Sequence, residues 1–106
     1  MTRREQVEAR LPASHETIAE FARRNGIRRL SFFGSIVTPA FDEQSDVDIL
    51  VEFLPGRVPG LIRLAEMEIE LSKLLHRKVD LNTAGFLHPQ FRNEVIESAV
   101  VCFEAA

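Results

Sequence analysis

Two aspartates at the start of a predicted strand are candidate ligands of a metal ion. Asp46 and Asp48 are two residues apart at the start of a β-forming run, so both side chains would point to one face, with Cα atoms about 6.5–7 Å apart. Paired carboxylates repel each other, and a hard cation such as Mg²⁺ between them resolves that repulsion. Short Asp-x-Asp matches are common by accident. Asp46 could instead cap a turn, with Asp48 in solvent.

A third aspartate, Asp80, lies between Val79 and Leu81 in a later predicted strand. If this strand neighbours the one that carries Asp48, three carboxylates converge on one face of the sheet. Three carboxylates can hold two metal ions about 3.5–4 Å apart, the arrangement used for in-line phosphoryl transfer. Taken alone, Asp80 is better explained as an edge-strand charge that faces water.

A Gly-Ser pair, Gly34-Ser35, ends the apolar run that comes before the aspartates. At a strand-to-helix turn, glycine lets backbone amides approach a ligand closely, and the serine hydroxyl adds a donor. The following helical turn adds unpaired N–H groups, so the pair could cradle phosphates. Taken alone, it would be an ordinary glycine turn.

Hydrophobic periodicity and turn residues predict the elements that position these groups. We expect an α/β (α+β) fold, with a mixed β-sheet of about four strands and helices packed on it. The predicted elements, in chain order, are helices over 2–10 and from Ser14 to before Gly26, a strand over 28–33, a helical turn over 35–38, a strand over 46–53, a helix over 60–76, a strand over 78–82, a helix over 88–98 and a strand over 100–103.

Composition narrows the class of protein. The 106 residues, 45% hydrophobic and 27% charged, predict a single domain over residues 1–106 with one modest core. A net charge of −3 argues against direct nucleic-acid binding, which needs a basic surface. The one cysteine, Cys102, excludes an intrachain disulfide and suits the cytoplasm. No signal peptide is expected and no apolar run has the roughly 20 residues that a membrane span needs.

Ordinary structural roles are expected for several other residues. The three histidines, His15 among them, lie far apart without the spacing of a zinc site. Cys102 is expected to be a small buried apolar residue on the last strand. Three further residues are expected to pack in the core rather than to form a partner surface: Phe86, Leu87 and Phe91.

Taken together, the pattern Gly-Ser, ten residues, Asp-Val-Asp, and a later strand aspartate resembles the nucleotidyltransferase superfamily that includes DNA polymerase β. More closely, the chain is similar to the minimal nucleotidyltransferase (MNT) proteins of prokaryotes. The similarity covers most of the chain, including "RRLSFFGS", "QSDVDILVEF", "PGLIRLAEMEIELSKLLHRKVDLNT" and "FLHPQFRNEVIESAVV". Many MNT proteins are antitoxins encoded beside a helical HEPN-domain toxin, an RNase, and they transfer AMP from ATP to a tyrosine of that toxin.

The resemblance implies a nucleotidyltransferase fold and a role for each of the five residues. Asp46 and Asp48 would bind two Mg²⁺ ions, and Asp80 would complete the second metal site and help deprotonate the attacking hydroxyl. Gly34 and Ser35 would hold the β- and γ-phosphates of ATP. The implied partner is a cognate HEPN toxin, in a hetero-oligomer, with a homo-oligomer also open.

The turn over 36–39 departs from many relatives because it carries no basic residue. Triphosphate binding is therefore expected to depend more on Mg²⁺, on Arg28 or Arg29, or on the partner. The same departure favours an alternative function, a non-catalytic antitoxin that neutralises the toxin by direct binding. Transfer to a small molecule such as an aminoglycoside usually needs a further substrate domain, so the short chain favours a protein acceptor.

Overall fold

A computed structural model describes all of the residues, 1–106, as a four-stranded mixed sheet with helices packed on it. The helices are α1 (Arg3–Glu8), α2 (His15–Arg24), α3 (Leu61–Leu75) and α4 (Pro89–Ser98), and the strands are β1 (Ile27–Phe33), β2 (Val47–Phe53), β3 (Val79–Asn82) and β4 (Val100–Glu104). Short 3-10 turns cover Gly34–Val37 and Ala84–Phe86. The predicted fold class and order of elements are confirmed. None of the helices combines the length and the apolar character needed to cross a bilayer.

Local sequence signals account for where the helices begin. Thr2 and Glu5 form a capping box at α1, and the Ser14 hydroxyl accepts a hydrogen bond from the Thr17 amide at the start of α2. At α4, His88 Nδ1 accepts from the Gln90 amide, and Pro89 occupies the first turn, where its missing N–H costs nothing. The predicted caps at Ser14 and His88 are confirmed.

The sheet order β3-β2-β1-β4 places the two aspartate-bearing strands side by side. Strands β2 and β3 are parallel, and α3 supplies the crossover that a parallel pair requires. Their register pairs Val47 with Val79 and Asp48 with Asp80. The other neighbouring strands are antiparallel. The strand neighbourhood on which convergence of the carboxylates depends is therefore present.

One face of the sheet forms the core and the other is open. Along β2, Val47, Ile49 and Val51 are fully buried, and Ile49 and Val51 pair with Phe32 and Leu30 of β1. Buried residues from α1, α2 and α3 complete this single core. Because side chains alternate along a strand, Asp48 and Asp80 project from the opposite face.

Side chains of α3 bind the backbone of the edge strand β3. Glu68 Oε2 accepts a hydrogen bond from the Leu81 amide at 2.8 Å, and Ser72 Oγ accepts one from the Val79 amide at 3.0 Å. These contacts satisfy amides of the strand that carries Asp80. Glu68 was not predicted to do this, since its position on an amphipathic helix resembles that of a solvated charge.

The expectation that Phe86 and Phe91 pack in the core is wrong. They are 59% and 54% exposed, and α4 contributes no buried residue. The core face of the sheet is already covered by α1, α2 and α3, so Phe86 and Phe91 do not reach it. Near the open face, a cavity of about 150 Å³ lies between Ile96 of α4 and Leu50 of β2. Leu87 is half-buried.

Candidate active site

Asp48 and Asp80 lie side by side at one end of the open face, and Asp46 is near enough to Asp48 for their charges to interact. Asp46 comes immediately before β2, Asp48 is the second residue of β2, and Asp80 is the second residue of β3. All three are half-buried, and Asp48 and Asp80 are direct partners in the parallel register. The Val47 amide donates to the Lys78 carbonyl at 2.9 Å, which fixes the two strands together where the carboxylates begin.

The electrostatics of this group favour a bound cation. Burial raises the pKa of Asp48, and the negative charges of Asp80 and Asp46 raise it further. Lys78 Nζ lies 3.8 Å from Asp46 Oδ2, but the two side chains are 72% and 43% exposed, so this pair is screened and weak. Carboxylate oxygens are the ligands that Mg²⁺ prefers, so the donor set fits that ion.

Gly34 lies directly against the Asp48 carboxylate. Its φ of 74° is in the left-handed region, and a Cβ added there would overlap Asp48 Oδ2. Phe33, the residue before it, is the register partner of Asp48. The sequence predicted that glycine allows a ligand to approach, and the structure adds a second requirement, room for a carboxylate. Ser35 follows in the same turn, half-buried.

The turn after Gly34 is held by a residue that the sequence analysis did not single out for it. Arg10 Nη1, from the segment after α1, donates to the carbonyls of Ile36 and Thr38 at 2.9 and 2.6 Å. The Thr38 hydroxyl donates to the Ser35 carbonyl at 2.8 Å. No local pattern could have linked Arg10 to this turn, because the contact spans more than twenty residues. The uncharged turn is thus contacted by a guanidinium from elsewhere in the chain.

The arginines expected to assist phosphate binding lie elsewhere. Arg28 and Arg29 donate to the carboxylate of Glu52 at 3.0 and 3.1 Å. Glu52 pairs with Arg29 near the opposite end of β1 from Gly34. Each cation is therefore engaged with a carboxylate, at the far end of the strand from the Gly-Ser turn.

A second arginine organises the loop that leads into Asp46. Arg77 Nη1 donates to the carbonyls of Asp42 and Ser45 at 2.9 and 2.7 Å, and its guanidinium lies 4.4 Å from the centre of the Phe41 ring. Within the loop, Asp42 Oδ1 accepts from the Gln44 amide at 2.9 Å. The spacing of Asp42 and Ser45 is a recognisable turn signal, whereas the part played by Arg77 had no signal in the sequence.

A family model, a related protein and a solved structure all indicate the same family. The model of the nucleotidyltransferase domain family matches residues 15–102. The protein adenylyltransferase MntA of Thermococcus cleftensis is 35% identical over 96 residues, which are 91% of this chain and 92% of that protein. A solved structure provisionally assigned as a minimal nucleotidyltransferase is 32% identical, has a TM-score of 0.70, and is matched over 92% of this chain and 93% of that chain.

A more distant structure shares the fold. It is the tri-AMPylated HEPN toxin of Shewanella oneidensis in complex with its MNT antitoxin, with a TM-score of 0.63. The identity is 19%, and the match covers 86% of this chain and 70% of that chain. At that identity the likeness shows a common architecture.

Proposed function

Because the chain belongs to the nucleotidyltransferase domain family, we propose that it is a Mg²⁺-dependent protein adenylyltransferase, an antitoxin that transfers AMP from ATP to a tyrosine of a HEPN-domain toxin. One observation carries the proposal: Asp48 and Asp80 are register partners, and Gly34 lies directly against Asp48. The group that would bind metal and the turn that would bind phosphate are thus in contact. The protein adenylyltransferase MntA, similar over 91% of this chain, supports the choice of reaction.

The carboxylates divide the work of the site. Asp46 and Asp48 would hold the magnesium ions, and Asp80 would complete the donor set. When bound, the ions supply positive charge that favours ionisation of the attacking hydroxyl and stabilises the attacking and leaving oxygens. The mutual repulsion that raises the pKa of Asp48 is what a cation among these side chains would relieve.

The reaction is an in-line displacement at the α-phosphate of ATP. The tyrosine oxygen forms a bond to the α-phosphorus, the bond between that phosphorus and the oxygen bridging to the β-phosphate breaks, and pyrophosphate leaves. Asp80 accepts the hydroxyl proton and passes it to solvent. The backbone amides of the turn and the Ser35 hydroxyl hold the β- and γ-phosphates, which keeps the leaving group opposite the attacking oxygen.

The acceptor comes from another protein. A HEPN toxin docked on this chain would bring its tyrosine to the open face of the sheet, and the two proteins would form a hetero-oligomer in the cytoplasm. The AMPylated toxin of the Shewanella complex illustrates such a product for that pair.

The proposal is tested by measuring the mass of the partner protein. The chain is co-expressed with the reading frame next to its own, and the product of that frame, as the candidate partner, is purified and analysed by intact-mass and peptide mass spectrometry. We expect adenylyl groups on a tyrosine with the native chain and none with Asp46→Asn or Asp48→Asn. Glu43→Gln, a change at an exposed acidic residue of the neighbouring loop, is the matched control and should leave modification unchanged.

Two outcomes would overturn the proposal. A partner that is neutralised without added mass would show an antitoxin that acts by binding alone. Modification that persists in both aspartate variants would place the chemistry at other residues. Circular dichroism of each variant separates either result from loss of folding.

A further inference from the structure

The far end of the core holds a second group of metal-binding residue types, away from the aspartates. Glu8 ends α1, His15 begins α2, and Cys102 is the middle residue of β4. His15 Nδ1 lies 2.6 Å from Glu8 Oε2, and Cys102 Sγ lies 3.2 Å from Glu8 Oε2 and 3.9 Å from His15 Nδ1. The spacing of the histidines alone argued against a zinc site, but His15 has two potential ligands of other residue types beside it. Sequence spacing missed the group because its members come from three separate elements.

The three atoms are spaced as the ligands of one ion. They all lie within 4.8 Å of one another. Zinc bonds of about 2.3 Å to sulfur and 2.0–2.1 Å to nitrogen or oxygen put tetrahedral ligand atoms roughly 3.3–3.6 Å apart. The observed separations of 2.6, 3.2 and 3.9 Å fall on either side of that value. Small side-chain movements would bring each pair of atoms to the separation expected for zinc ligands.

His15 Nδ1 has more neighbours than one ring nitrogen can satisfy. Arg4 Nη1, a donor, lies 2.8 Å from it, and Glu8 Oε2, an acceptor, lies 2.6 Å from it. A ring nitrogen either donates or accepts, so hydrogen bonding accounts for one contact at most. An ion at the cluster removes the conflict, because Nδ1 and Oε2 then both direct a lone pair at the same cation.

The surrounding residues allow such an ion. Arg4 bonds the other carboxylate oxygen, Glu8 Oε1, at 2.8 Å and can keep that bond as an outer partner while it leaves Nδ1. The Arg4 side chain is 37% exposed and can move. The His15 side chain is 40% exposed, which leaves solvent access for a water as fourth ligand, whereas the Glu8 side chain is 10% exposed.

We propose that Glu8, His15 and Cys102 bind Zn²⁺ in a site that joins α1, α2 and β4. On binding, the Cys102 thiol loses its proton to solvent and the thiolate becomes a ligand, beside the Glu8 carboxylate and neutral His15. Thiolate and imidazole select zinc, whereas the all-carboxylate group of Asp46, Asp48 and Asp80 suits magnesium. The site is separate from the proposed reaction and does not depend on it.

Cobalt(II) reports this site directly. Co²⁺ is added to the full chain, and the near-ultraviolet thiolate-to-cobalt band is followed. Because Cys102 is the only cysteine, the band can arise from no other residue. We expect saturation at one Co²⁺ per chain and loss of the band when Zn²⁺ is added. Asp48→Asn should retain the band, and Cys102→Ser should abolish it.

His15→Ala and Glu8→Gln test the other two ligands. Each should weaken Co²⁺ binding by roughly tenfold or more, since even outer partners of a metal ligand carry effects of that size. An equal band in both variants would show adventitious binding at a lone thiol and overturn the proposal. Absence of the band in the native chain would do the same.

A measurement on the native chain covers the case in which a variant fails to fold. X-ray absorption of the chain loaded with one Zn²⁺ should show one sulfur at about 2.3 Å and the remaining ligands at about 2.0–2.1 Å. A shell of nitrogen and oxygen alone would exclude Cys102 and overturn the assignment.

Discussion

At the scale of single residues, ionised Asp48 destabilises the folded chain when no metal is bound. Burial and the charges of Asp80 and Asp46 raise the pKa of Asp48 above its ordinary value. The unfolded chain, with a pKa of about 3.9, loses this proton more readily than the folded chain does. Ionised Asp48 therefore lowers the free energy of unfolding. This penalty is absent below about pH 4, appears as pH rises, and is complete above the raised pKa of the folded state.

Replacement of Asp48 by asparagine should stabilise the metal-free chain at neutral pH while it abolishes adenylylation. We expect a rise in Tm of a few degrees at pH 7.5, because about 1 kcal/mol corresponds to roughly 4–8 °C in a domain of this size and the group is only partly buried. The gain should vanish near pH 4. Thermal unfolding by circular dichroism, with a chelator present, measures both.

Added Mg²⁺ supplies the control for this prediction. It should raise the Tm of the native chain, since the ion binds the folded state, and leave the Asp48→Asn variant nearly unchanged. A variant that is less stable than the native chain at pH 7.5 without metal would contradict the prediction.

At the scale of elements, the edge strand β3 depends on α3 for part of its hydrogen bonding. Glu68→Ala removes the acceptor 2.8 Å from the Leu81 amide, and Leu81 is 8% exposed, so water cannot easily replace it. We expect a loss of about 1–3 kcal/mol in the free energy of unfolding, the usual cost of an unsatisfied buried group. Glu68→Gln keeps an acceptor oxygen and should lose less. Urea unfolding compares the variants.

Glu66, two residues earlier on the same helix and exposed, offers a matched position. Glu66→Ala should change the free energy of unfolding by less than about 0.5 kcal/mol. Equal losses at Glu66 and Glu68 would contradict the prediction: the bond to β3 would not set the cost, and helix propensity could not explain it, since alanine favours helix more than glutamate does.

The same elements show what the sequence could and could not predict. Strong local signals predicted the helix caps at Ser14 and His88. The alternation of apolar residues in β2 predicted the face of the sheet on which Asp48 lies. Contacts between distant segments had no local signal: Arg10 on the Ile36 carbonyl, and Cys102 beside Glu8. The catalytic and metal-binding roles of the five site residues stay predictions, to be tested by the aspartate variants.

At the scale of the whole molecule, packing is uneven. Residues from α1, α2 and α3 fill one face of the sheet, whereas α4 buries none of its side chains. The apolar residues Phe86, Phe91 and Ile96 remain at least half exposed. Since local stability follows buried contacts, α4 should open at a lower free energy than the sheet does.

Two substitutions of the same chemical size measure this difference across the molecule. Phe32 is fully buried in β1 and Phe91 is 54% exposed on α4. Phe32→Ala should reduce the free energy of unfolding by about 3–5 kcal/mol, because it leaves a cavity in the core. Phe91→Ala should reduce it by less than about 1 kcal/mol, because little apolar surface returns to water. Urea unfolding gives both values, and native-state hydrogen exchange should show the α4 amides exchanging before those of β1. A loss at Phe91 equal to that at Phe32 would mean that α4 packs into the core in solution.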